Sequence, residues 1–238
     1  MLAEDLAIDG SIVQMEGEFD LSESVTATGW AVTPALMQSH PFAVHRRGHS
    51  DVVERAAREH FDDLEITTRE TFALKGGELR VGIADLPNAH GGRRQLTVGA
   101  WEGGRGSLST SIVGSSVEKL VEVFDTLEFS ESERGLRIDS PVVPRPRTPE
   151  VARLVPDLGV VSVRPAIASE LERVPRGGGR RTRHGEVFRA REGARSLVLL
   201  SPTSVVDIHP LERADDETLV DFADRFRVEW RPRGRGAR

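Results

Sequence analysis

His40, His45 and His49 stand within ten residues of one another, with Asp51 and His60 further along. Imidazole nitrogen is a common ligand of zinc, nickel and copper, so such a group could converge on one ion. On an extended strand His45 and His49 would share a face. The spacing fits no helical His-Glu-x-x-His pattern, because Pro41 and Gly48 interrupt any helix there. The plainer reading is a polar loop with one histidine capping or packing. A metal-dependent enzyme built on the His40–His60 region is the alternative function.

Arginine is the second chemistry-bearing group. Arg173, Arg176, Arg180, Arg181, Arg183, Arg189, Arg191 and Arg195 lie within 23 residues, around Gly177-Gly178-Gly179. Exposed backbone amides beside guanidinium groups suit an anion, and so does the tip Gly103-Gly104-Arg105-Gly106-Ser107. Neither has the Lys-Ser/Thr ending of a phosphate-binding P-loop. Nucleic-acid readers interleave aromatic residues for stacking, and only Phe188 falls inside the arginine segment. Nucleic acid through the loop 176–195 is therefore disfavoured. An acidic protein surface is the expected counterpart, with Arg176, Arg180, Arg181, Arg183 and Arg189 as contact residues and Arg105 as a second point.

Covalent catalysis has no comparable signal. Serines crowd Ser107–Ser116, but no Gly-x-Ser-x-Gly elbow occurs. Asp62/Asp63 and Asp215/Asp216 fall at expected helix ends, and Asp215/Asp216 suit the N-terminal dipole of a helix. Cysteine is absent, which excludes disulfides, thiol nucleophiles and thiolate-bound zinc. No enzyme activity, cofactor or metal is expected on the main reading.

The chain of 238 residues, 38% hydrophobic and 29% charged, has the composition of a folded globular protein. No apolar run approaches the ~20 residues of a membrane span. Met1-Leu2-Ala3-Glu4-Asp5 lacks the basic start of a signal peptide, so a cytoplasmic location is expected. Charge is uneven: residues 1–139 carry a net −11 and residues 140–238 a net +5. The two parts could therefore attract each other, and an oligomer is compatible with the composition.

The chain also carries a short plan that reads as repeated. Thr33-Pro34, Pro41 and Phe42-Ala43-Val44 are echoed by Thr148-Pro149, Pro156 and Leu158–Val161. Leu120–Asp125 is echoed by Leu219–Asp224. A period of about 100 to 115 residues suits a small domain rather than a solenoid unit. Alternation predicts a strand pair within 11–32, a strand at 41–44, and hairpins 65–74/78–85 and 94–101/107–113. Helices are predicted over Asp51–Asp63, from Ser115 (capping box with Glu118) to Thr126, around Pro149–Leu154, at Ala168–Val174 and over Asp215–Phe226. Further strands are expected at 159–164, 186–191, 196–200 and 204–208. Pro141–Pro149 should be extended and stiff.

The order of early helix, hairpins through Val113, then Ser115–Leu127 closing on Phe129 resembles the PsbP-like superfamily, which includes the LpqN-type lipoproteins of actinobacteria. The resemblance covers residues 15–130. It implies an antiparallel sheet with covering helices and a partner-binding role, with no shared catalytic residues to carry over. The expected architecture is thus α+β: two related units, each an antiparallel sheet with helices packed on it. An N-terminal domain would span 1–139, a smaller C-terminal one 140–230, and a disordered arginine-rich tail 231–238. The expected function is a non-catalytic protein-binding, scaffolding or adaptor protein, a component of a larger assembly.

Overall fold

The computed structural model describes residues 1–19, 25–33, 35–36, 38–46, 61, 66, 68–87, 91–139, 149–190 and 195–234. Twelve strands of the chain join one antiparallel sheet. They are β3 (Val25–Thr33), β4 (Gln38–Arg46), β5 (Thr68–Leu74), β6 (Gly77–Pro87), β7 (Arg93–Glu102) and β8 (Gly106–Val113), then β11 (Glu150–Val155), β12 (Gly159–Pro165), β13 (Arg180–Arg181), β14 (Glu186–Arg189), β15 (Leu197–Leu200) and β16 (Ser204–Pro210). Their spatial order is β13-β14-β15-β16-β12-β11-β3-β4-β8-β7-β6-β5. Three further strands, β1 (Leu2–Leu6), β2 (Ile12–Glu16) and β17 (Arg227–Arg231), make a second sheet in the order β1-β2-β17. A hairpin of β9 (Phe129–Ser132) and β10 (Gly135–Ile138) forms its own two-stranded ladder, with Leu136 and Ile138 buried in the main core. Among the described residues the helices are α1 (Val117–Thr126), α2 (Ala168–Leu171) and α3 (Asp216–Arg225).

This corrects the expected fold class. The protein is dominated by strand, and it is not an α+β pair of units with helices packed on separate sheets. The reason lies at the centre of the large sheet, where β11 pairs antiparallel with β3, from Glu150 opposite Thr28 to Arg153 opposite Val25. Hydrogen bonding therefore runs unbroken from the first half of the chain into the second. One apolar cluster likewise draws on both, from Ala3 and Phe42 to Leu199 and Trp230.

Internal duplication is corrected with it. The repeated Thr-Pro and Pro residues occupy unlike places: Thr33 ends β3 and Pro41 lies inside β4, whereas Pro149 precedes β11 and Pro156 begins the turn after it. Matching letters do not mark matching strands here.

Local chemistry explains the elements that were legible. Lys75 and Gly76 both adopt positive φ (49° and 75°), the mirror-image turn that suits the right-handed twist of the β5–β6 hairpin. Ser116, one residue beyond the expected Ser115, caps α1 by accepting a hydrogen bond from the Lys119 N–H. Asp215 does the same for α3 through Thr218.

Three expectations failed for stated reasons. The helix expected around Pro149–Leu154 is instead strand β11, Glu150–Val155, with strictly alternating burial. Its middle inward residue is Arg153, whose charge hid the alternation. The strands within 11–32 do not pair with each other: β2 joins β1 and β17, and β3 joins β4 and β11. Arg231, placed in a disordered tail, ends β17. The helix expected at Asp51–Asp63 and the extended run Pro141–Pro149 lie almost wholly outside the described residues. Among the described residues, no helix is long and apolar enough to cross a membrane.

The two faces of the large sheet differ. One carries Phe42, Val44, Trp101, Leu108, Val163 and Val206 into the main core, with α1, α3 and the small sheet contributing to the same cluster. The close approach of α1 depends on Gly99, where an added Cβ would lie 2.8 Å from both Leu120 and Phe124. Among the described residues, the opposite face is covered only towards its ends. Phe61 and Ile66 pack on Leu96, Val98 and Ala100 at one end. Phe188, Val198 and Val205, with Ala166 and Val174 beside α2, form a small core at the other. Between these two coverings lies an open stretch over β8, β4, β3, β11 and β12.

Candidate functional site

The arginine-rich segment folds as the β13–β14 hairpin at one extreme edge of the large sheet. Gly177 and Gly178, with φ of 88° and 74°, turn the chain into β13. Folding gives the described arginines different surroundings. Arg183 pairs with Asp224 at 3.1 Å, and Arg189 with Asp216 at 2.5 Å. Arg173 reaches Glu170 at 3.1 Å, and Arg195 donates to the Glu212 carbonyl at 2.8 Å. Arg176, Arg180 and Arg181 remain: all three are exposed, and no carboxylate among the described residues pairs with them. Arg191 lies outside the described residues.

Arg105 is not brought to this edge. It sits at the tip between β7 and β8, where its backbone N–H donates to Glu131 Oε1 at 2.9 Å. Nine strand spacings separate β7 from β13 in the sheet order, roughly 40 Å at ~4.8 Å per spacing. The two glycine-rich tips are therefore separate surfaces.

The histidines do not converge either. His40 and His45 are five positions apart on β4, and strand alternation sends them to opposite faces. His40 is buried on the core side, and its Nε2 has no hydrogen-bond partner among the described residues. Burial lowers its pKa from the usual histidine value. His45 faces the open side, where its Nδ1 lies 3.1 Å from Thr26 Oγ1. His49, Asp51 and His60 lie outside the described residues.

The feature that sequence reading missed is the open stretch itself. It holds a groove of about 530 Å³, floored by Thr28, Trp30, Pro41, Ala43, Ser109 and Ser111. One wall is charged. Arg164 on β12, with 6% of its side chain exposed, donates through Nη1 to Glu170 of α2 at 2.6 Å and through Nη2 to Asp207 of β16. Glu170 is wholly buried and also accepts from Arg173. Glu150 of β11 completes the wall, with its Oε2 3.8 Å from Arg164 Nε. A buried guanidinium needs such partners, because an unpaired one would cost several kcal/mol. Alternation puts Arg164, Asp207, Glu150, Thr28 and Trp30 on one face, from four different strands. The only sequence sign of this was a lone arginine inside the apolar run Gly159–Pro165.

Comparison of the chain with protein-family models, with curated proteins and with solved structures finds no match in any of the three.

Proposed function

We propose that this is a non-catalytic binding protein, an adaptor or scaffold that captures an acidic surface of a protein partner through Arg176, Arg180 and Arg181. The observation that carries this reading is selective pairing. Arg183 and Arg189 are held by Asp224 and Asp216, while Arg176, Arg180 and Arg181 are exposed and no carboxylate among the described residues pairs with them. Free guanidinium is a planar fork that binds carboxylate in two-point geometry. The edge strand is only two residues long, and the chain turns at Gly177 and Gly178 just before it. Charge, rather than added strand pairing, is therefore the expected basis of recognition. Arg105 would act as a distant second contact for a large partner.

The test is binding of a fluorescent glutamate-rich peptide at low salt. Capture should weaken steeply as salt rises, and it should vanish when Arg176, Arg180 and Arg181 are all changed to Glu with the melting temperature unchanged. Undiminished capture by that variant overturns the reading. So does tighter, equally salt-sensitive binding to a generic DNA duplex, which would favour nucleic acid.

A further inference from the structure

We propose that the groove on the open face of the large sheet is a second binding site, for an organic cation: a primary ammonium or guanidinium group on an apolar or aromatic body. It does not depend on the arginine edge.

The argument begins with charge in the wall. Arg164 is used by Glu170 and Asp207, and Arg173 is used by Glu170. Those two cations and two anions cancel. Glu150 is left over. About a third of its side chain is exposed, and it accepts no hydrogen bond among the described residues. Among the described residues the cationic atom paired with it is Arg164 Nε, at 3.8 Å, beyond hydrogen-bond range. That nitrogen is itself buried and makes no hydrogen bond among the described residues. Arg164 cannot turn to Glu150 without releasing Glu170 or Asp207. Among the described residues the wall thus sets three carboxylates against two guanidiniums, and the carboxylate without a hydrogen bond lines a cavity of the size that small organic ligands occupy.

The floor supplies the other half of the recognition. Glu150 lies opposite Thr28 on β3, and Trp30 is the next residue of β3 on the same face. Two residues along a strand span about 7 Å, the reach of an ammonium two or three bonds from a ring. Trp30 and Pro41 line the floor, and an aromatic ring there adds attraction for a cation. Ser109 and Ser111 add hydroxyls beyond Ala43. An anion is disfavoured, because three carboxylates line the wall and both guanidiniums are already engaged.

Tryptophan fluorescence tests this. Trp101 and Trp230 are buried, whereas Trp30 lines the groove. Titration with 2-phenylethylamine should give a saturable change, and the neutral isostere 2-phenylethanol should bind at least tenfold more weakly. Glu150→Gln should lose at least tenfold in amine affinity while melting at the same temperature. Changing Arg176, Arg180 and Arg181 to Glu should leave amine binding intact, so the two proposals fail independently. A short lysine peptide that binds where the free amine does not would identify the cation as a partner's side chain. The proposal is overturned if neither binds, if the alcohol binds as tightly as the amine, or if Glu150→Gln binds the amine like the parent.

Discussion

Asp5 and Arg153 are 148 residues apart in the chain and meet in a two-point ion pair, with Arg153 Nε 2.5 Å from Asp5 Oδ2 and Nη2 2.7 Å from Oδ1. Asp5 is wholly buried and Arg153 is 3% exposed. The pair ties β1 of the small sheet to β11 at the centre of the large one. Arg46 adds a third charge, its Nη1 lying 3.2 Å from Asp5 Oδ1.

Removing one partner should therefore be far worse than removing both. Asp5→Asn leaves Arg153 buried without a counter-charge and should cost about 3–5 kcal/mol. Asp5→Leu combined with Arg153→Met should recover much of that loss. Urea unfolding of the three proteins measures the difference, and equal losses in the single and double variants would refute the account.

Gly99 permits the contact between α1 and β7. A Cβ there would press on Leu120 and Phe124, both fully buried. Gly99→Ala should destabilise the protein by about 1–3 kcal/mol through overpacking. The same change at Gly104, where an added Cβ meets nothing within 4 Å, should be nearly silent in the same melt.

His40 should make stability depend on pH. Burial lowers its pKa in the folded state, so between that value and the ordinary 6.5 the unfolded chain binds more protons. Stability from this group is thus intact above about pH 6.5 and falls as pH drops towards the folded pKa. The melting temperature of the parent should fall more between pH 7.5 and 5.5 than that of His40→Leu. Identical pH responses would refute the assignment.

Paired and unpaired arginines should behave differently at the sheet edge. Reversing Arg183 and Arg189 to Glu breaks two exposed ion pairs, whose contribution to stability should be small. Capture of an acidic peptide should survive that change better than reversal of Arg180 and Arg181. If the two double variants lose capture equally, the distinction between paired and unpaired guanidiniums has no functional meaning.

Several local features could be read in the chain because their causes are local. Lys75-Gly76 at a tight hairpin, Asp215 capping α3 and the apolar stripe Leu219-Phe222-Ala223 each depend on residues a few positions apart. The exposed arginines of 176–189 were legible for the same reason, as an excess of charge in a short span. What could not be read was which of them would find an acid. Asp216 and Asp224 reach Arg189 and Arg183 only after α3 returns beside the edge hairpin.

The sequence alone determined most strand and turn positions, since alternation, glycine and capping chemistry act within a few residues. It also determined the excess of arginine at one segment. Only the tertiary structure decided that β3 pairs with β11, which turns two apparent units into one sheet. Strand pairing is non-local: each strand exposes the same backbone groups along both edges, and nothing in its own residues names its neighbour. The same pairing assembles the groove, because Glu150, Arg164, Asp207 and Trp30 come from four strands and share a face only once their registers are set.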